Sequence, residues 1–156
     1  MKFKIVAVGK IKESYLRDAI AEYVKRISRF ATVEIVEVDE CLNKGALNST
    51  TIEQIKKAEG ANILPKLEGY VTVMDIDGKL FTSEQLSERI AEQKQRNSTF
   101  TFVIGGSHGL SDEVKNRADL RCSFGKITLP HQLFRVVLLE QLYRCCCIEN
   151  NVSYHK

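Results

Sequence analysis

Residues Lys2–Val8 (KFKIVAV) alternate polar and apolar positions as a strand does, and Gly9 ends the run. Apolar residues then recur at Leu16, Ala19, Ile20, Tyr23, Val24 and Ile27, the spacing of an amphipathic helix, with Glu13 to Arg17 and Glu22 to Arg26 as expected i,i+4 ion pairs on its wet face. Val33, Ile35, Val36 and Val38 predict a second strand, followed by a polar loop over 39–49. Thr50 and Glu53 have the spacing of a capping box and open a helix through Ile52, Ile55, Ile63 and Leu64, interrupted by Gly60 and Pro65 and closed by Gly69. A third strand is expected over 70–76 (YVTVMDI), nearly continuous in apolar and β-forming residues, with Asp77-Gly78 as the turn that ends it. Thr82 and Gln85 form another capping box, starting a helix over Leu86 and Ile90 that stops before Asn97-Ser98.

The stretch 99–144 organises the rest. It reads as a buried strand (100–104), a glycine loop (105–109), a short helix capped by Ser111, a second strand with its own loop (122–130) and a long apolar helix after Pro130. Strands alternating with helices predict an α/β fold with a mostly parallel sheet. In such sheets ligands bind where strands end in loops, because backbone N–H and C=O groups are free there. Two such loops close together in the chain mark the expected cleft.

Composition narrows the class. With 156 residues and 44% hydrophobic content, the chain suits one domain with a sizeable core. Its N-terminal apolar run is too short for a signal peptide, and nothing later approaches the roughly 20 apolar residues of a membrane span. The expectation is a soluble, cytoplasmic protein whose five cysteines are reduced thiols. A net charge of +3 permits an acidic partner such as RNA without requiring one.

Candidate chemistry is sparse outside the loops. Gly105-Gly106-Ser107-His108-Gly109 fits the G-x-S-x-G pattern of a hydrolase elbow, with Asp119 or Glu140 and then His155 in the chain order of a triad. An elbow runs from its serine straight into a helix, whereas here Gly109 and Leu110 intervene before Ser111. Three histidines without H-E-x-x-H, and a Cys145-Cys146-Cys147 run without C-x-x-C spacing, argue against a metal site. His131, beside the expected cleft, is open to a catalytic reading or to a structural one. The polar tip Tyr154-His155-Lys156 is either a frayed end or a flap carrying a base that titrates near neutrality.

The phrases AVGK (7–10), MDIDGK (74–79), VIGGSHGL (103–110), SFGKITLPHQLFRVVLLEQLYR (123–144) and the terminal YHK resemble, end to end and in order, the ribosomal large-subunit pseudouridine N3-methyltransferase family of the SPOUT class. The resemblance implies a homodimer of α/β subunits with a C-terminal trefoil knot, which no periodicity argument reaches. It also implies S-adenosylmethionine as methyl donor and, as acceptor, N3 of a pseudouridine in 23S rRNA of assembled ribosomes. Carried over by motif, the cofactor contacts fall at Met74, Gly105, Phe124, Gly125, Lys126, Ile127, Thr128 and Leu129.

The family's YHK tip implies that His155 and Tyr154 help orient or deprotonate the acceptor base. Arg135 and Arg144 are expected to hold RNA phosphate or the tail, with a buried pairing to Glu140 as the alternative for Arg144. The segment 145–153 (CCCIENNVS) departs from the family's alanine, aromatic and basic residues, and His108 stands where the family varies. A serine hydrolase built on Ser107 and a non-catalytic RNA-binding module are the competing readings.

Overall fold

The computed structural model describes residues 1–43 and 45–154. Five strands, β1 (Lys2–Val8), β2 (Thr32–Val38), β3 (Tyr70–Leu80), β4 (Thr99–Ile104) and β5 (Leu120–Ser123), form one sheet in the order β2-β1-β4-β3-β5. Every pairing is parallel. The helices are α1 (Ser14–Ile27), α2 (Ser49–Ile63), α3 (Ser83–Lys94), α4 (Asp112–Arg117) and α5 (His131–Glu149), with a 3-10 turn at Leu64–Lys66.

Strand alternation sorts the core into two layers. Phe3, Ile5, Ala7, Phe100, Phe102 and Ile104 face α1, α3 and α5, whereas Val6, Val8, Val71, Val73 and Val103 face α2 and α4. Right-handed crossovers require this division. The steps β1 to β2 and β3 to β4 run one way along the sheet and share a face; β2 to β3 and β4 to β5 run the other way. The exit from β4 therefore crosses the end of β3 to reach β5, while β3 itself exits toward β4. After β5 the chain returns over the same strand ends, and α5 packs against α1 and α3.

Local differences from the sequence reading each have a physical cause. β3 does not turn at Asp77-Gly78 but continues to Leu80, because a register shift between Met74 and Lys79 lets both pair with Cys122. Gly78 serves close approach there: a Cβ would stand 2.7 Å from the Arg121 carbonyl carbon. The cap of α2 is Asn48, which accepts from Thr51 N at 2.9 Å while Thr51 Oγ1 accepts from Asn48 N at 2.8 Å. The expected Thr50 and Glu53 box is absent, and Glu53 pairs with Lys56 instead. The helix runs through Gly60 because α4 abuts it, and a Cβ would come within 2.5 Å of Ser111 Oγ. Glu22 pairs with Arg26 at 2.7 Å, but Arg17 turns from Glu13 to donate to the Lys12 carbonyl at 2.6 Å.

Candidate active site

The ends of β3 and β4, the segment 124–130 and the first turns of α5 enclose a cleft of about 910 Å³. Met74, Gly105, Phe124, Gly125, Ile127, Thr128 and Leu129 all line it. Lys126 does not; its Nζ donates to the Ile76 carbonyl at 3.0 Å and pairs with Asp77 at 3.2 Å, tying 124–130 to the end of β3. Ser123 Oγ adds a bond to the same Ile76 carbonyl and accepts from Gly125 N. Gly125 takes φ +131, a conformation side chains rarely adopt, and the direction its Cβ would take is empty to 4 Å.

The glycine loop is tighter than a ligand cradle needs. Gly106 and Gly109 bridge each other, with Gly109 N donating to the Gly106 carbonyl at 3.1 Å. A Cβ on Gly105 would meet the Gly109 carbonyl carbon at 2.9 Å, so that glycine serves the loop's own closure. Gly106 lies against the carboxylate of Glu59, at 3.0 Å from a notional Cβ. Glu59 is buried on α2, accepts from Cys41 N at 3.1 Å, and burial raises its pKa against the lowering effect of that N–H.

Asp75 forms the most charged corner of the cleft. Its side chain is 6% exposed; Oδ2 accepts from Arg121 Nη2 at 2.7 Å and pairs with Lys115 at 3.2 Å, while Oδ1 accepts from Asp77 N. Burial pushes its pKa up, but the Asp77 N–H and the two cations outweigh it and hold the carboxyl below its ordinary value. Neither Asp75 nor Glu59 emerges from the sequence reading. The acid after Met74 at a strand end was a usable signal for Asp75, whereas Glu59 sits in a helix that reads as amphipathic surface.

Arg135 faces inward. It is 1% exposed, donating Nη1 to Glu37 at 2.7 Å and Nη2 to the carbonyls of Val8 and Gly9 at 2.8 and 2.6 Å. Burial lowers its pKa and the Glu37 bond opposes that. Its Nη atoms are held by Glu37 and by the end of β1, and Nε is buried without a partner among the described residues, so the expectation of a phosphate contact from Arg135 does not match its placement. Arg144 pairs with Glu140 at 2.7 Å and lies over the Tyr154 ring, which joins the two readings offered for it.

Tyr154 donates its hydroxyl to Glu140 Oε1 at 3.0 Å and packs edge-on against Tyr143. Burial first, then that bond, push its phenol up to about 12. Its partners lie on the later turns of α5, beyond Phe134 and Val137, which line the cleft. His155 lies outside the described residues.

The hydrolase reading finds no support in the geometry. Ser107 lines the cleft, yet among the described residues no hydrogen bond links it to a histidine or carboxylate. Asp119 is occupied with Val71 N, and Glu140 with Arg144 and Tyr154. Among the described residues no cluster could hold a metal ion, and no helix is long and apolar enough to cross a membrane.

Ribosomal RNA large subunit methyltransferase H of Streptococcus pneumoniae strain CGSP14 is 49% identical over the full length of both chains, and the same enzyme of strain JJA matches equally. Among solved structures, a probable methylase family protein from Haemophilus influenzae superposes with a TM-score of 0.57 at 12% identity, covering 99% of this chain and 70% of that one. A putative methyltransferase from Legionella pneumophila, in complex with the bound cofactor SAM, gives a TM-score of 0.50 at 10% identity, covering 91% and 65%. The family model for predicted SPOUT methyltransferases matches residues 1–155, and the chain belongs to that family.

Proposed function

We propose that the protein transfers a methyl group from S-adenosylmethionine to N3 of a pseudouridine in 23S rRNA, acting in the cytoplasm on assembled ribosomes. The observation that carries this reading is the convergence of Met74, Gly105 and 124–130 on one cleft, in a chain 49% identical along its length to a large-subunit rRNA methyltransferase.

The cleft suits the donor physically. Its volume lies within the roughly 300–1,000 Å³ of small-molecule sites. Met74, Phe124, Ile127 and Leu129 give apolar walls for an adenine, and the open side of Gly125 admits it to the backbone. When bound, the sulfonium supplies an already activated methyl carbon, so the protein's work is positioning the acceptor and removing one proton. Lys126 holds the 124–130 segment closed against β3, and Arg135 is a positioning residue that fixes the end of β1.

The quaternary reading follows from Tyr154. Tyr154 docks on the later turns of its own α5, outside its own cleft. For Tyr154 and His155 to orient an acceptor base, the cleft served is that of a second copy. Exposed apolar residues near the cleft, Ile127 at 84%, Leu80 at 58% and Leu133 at 39%, support a homodimer. The crossing of the β4 exit over β3, followed by the return of 124–130, supports the trefoil knot.

The test is calorimetry with S-adenosylmethionine, followed by methyl transfer to ribosomes from a strain lacking the enzyme. Saturable binding and incorporation at one nucleotide are expected. Salt-sensitive ribosome binding without transfer would favour an RNA-binding module instead.

A further inference from the structure

We infer that His131 is the proton acceptor in methyl transfer and that Glu40 sets its tautomer, the two facing one small space above the bare Cα of Gly9. The inference rests on the methyltransferase reading above.

His131 begins α5 and lines the cleft, and its two ring nitrogens have different surroundings. Nε2 is buried with no hydrogen-bond partner among the described residues. Nδ1 also lacks a bond, but it is not among the atoms closed off from solvent. Nε2 and Glu40 Oε2 border the same side of Gly9, at 3.4 and 3.7 Å from the position a Cβ there would take. A carboxylate and an imidazole thus share the space beside Gly9.

A buried ring nitrogen without a partner is costly, and Glu40, exposed at the start of the 39–48 loop, is the acceptor at hand. When Nε2–H donates to Glu40, the neutral ring carries its lone pair on Nδ1. This is the base-plus-orienting-carboxylate arrangement of nucleophile activation, applied here to a ring nitrogen of the acceptor. In the step, the N3–H bond breaks and its proton goes to Nδ1. The N3 electron pair forms the bond to the methyl carbon, the carbon–sulfur bond breaks with its electrons left on sulfur, and the proton later leaves Nδ1 for water.

The charges around the ring fit the role. Burial lowers the pKa of His131, Glu40 raises it and Arg135, one turn along α5, lowers it again, for a net value below the ordinary one. Glu37 is tied to Arg135, and His108 stands among the other residues lining the cleft. The ring is therefore neutral, and able to accept, at neutral pH.

The experiment compares wild type, His131→Gln and Glu40→Gln as full-length proteins. His131→Gln is expected to lower kcat by about 10²- to 10⁴-fold, the usual worth of a general base, while S-adenosylmethionine affinity and the urea midpoint stay unchanged. Glu40→Gln is expected to move the His131 titration to lower pH in NMR spectra of the unliganded protein, and to shift the acidic limb of the kcat profile with it. A His131→Gln protein of near wild-type rate, one that loses donor affinity in proportion to activity, or an unmoved titration in Glu40→Gln would each overturn the assignment. Failure of the wild type itself to bind donor or methylate ribosomes would overturn the underlying reading, and would show before any variant is made.

Discussion

Arg135 shows how a single residue can be misplaced by its chemistry. As a cation early in the helix after Pro130 it was expected to hold phosphate or the tail, yet its guanidinium gives two short bonds to the carbonyls at the C-terminal end of β1 and a third to Glu37 on β2. Glu37 can turn to water, but removing the buried guanidinium leaves the Val8 and Gly9 carbonyls unsatisfied, so Arg135→Ala should cost about 2–5 kcal/mol in urea unfolding. A stability change under 1 kcal/mol would show that the arginine is not structural. Tyr154 makes an opposite case, an aromatic near the chain end whose hydroxyl is held. Its folded pKa of about 12 lies above the value of about 10 expected unfolded, so the stability it contributes is present below pH 10 and fades as pH rises toward 12. In an alkaline ultraviolet titration, Tyr154→Phe should remove one late-ionising phenol; loss of an early one instead would contradict the Glu140 bond.

At the scale of elements, what was legible depended on whether the signal was local. The span of β1, the Thr82 and Gln85 box and the Ser111 cap are written in neighbouring residues, and the structure carries all three. The extension of β3 was not, because Asp77-Gly78 reads as a turn until a partner strand is supplied, and β5 arrives 46 residues after Asp75 through Arg121. The three cleft segments were legible as strand ends and loops, but their meeting depends on a strand order, β2-β1-β4-β3-β5, that no periodicity encodes. The burial of Glu59 and of Arg135 was invisible for a related reason: whether a charge on a helix is buried is decided by distant partners. Asp75 links β3 to both α4 and β5 through Lys115 and Arg121. With Arg121 nearly half exposed, Asp75→Asn should cost only about 1–2 kcal/mol at neutral pH. Because the folded pKa is lowered, that difference should persist above the unfolded carboxylate value and vanish as pH falls below about 4. A difference that stayed constant with pH would assign the effect to packing rather than charge.

For the whole molecule the decisive question is whether one chain contains a complete site. The cleft is assembled at one end of the sheet, whereas Tyr154 is fastened to the later turns of α5. Two lesions separate these parts. Gly125→Val places a side chain in the open side of the cleft at a φ of +131, and should prevent donor binding. Removal of residues 152–156 leaves the cleft intact and should abolish methylation while donor binding persists. Co-expressed with different tags and purified through both, the two lesions form a mixed dimer in which the intact cleft of the truncated copy faces the intact tail of the other. Twofold exchange of this kind predicts one working site of two, or about half the wild-type rate, from two copies that are inactive alone. If each chain instead used its own tail, the mixed dimer would be as inactive as its parents.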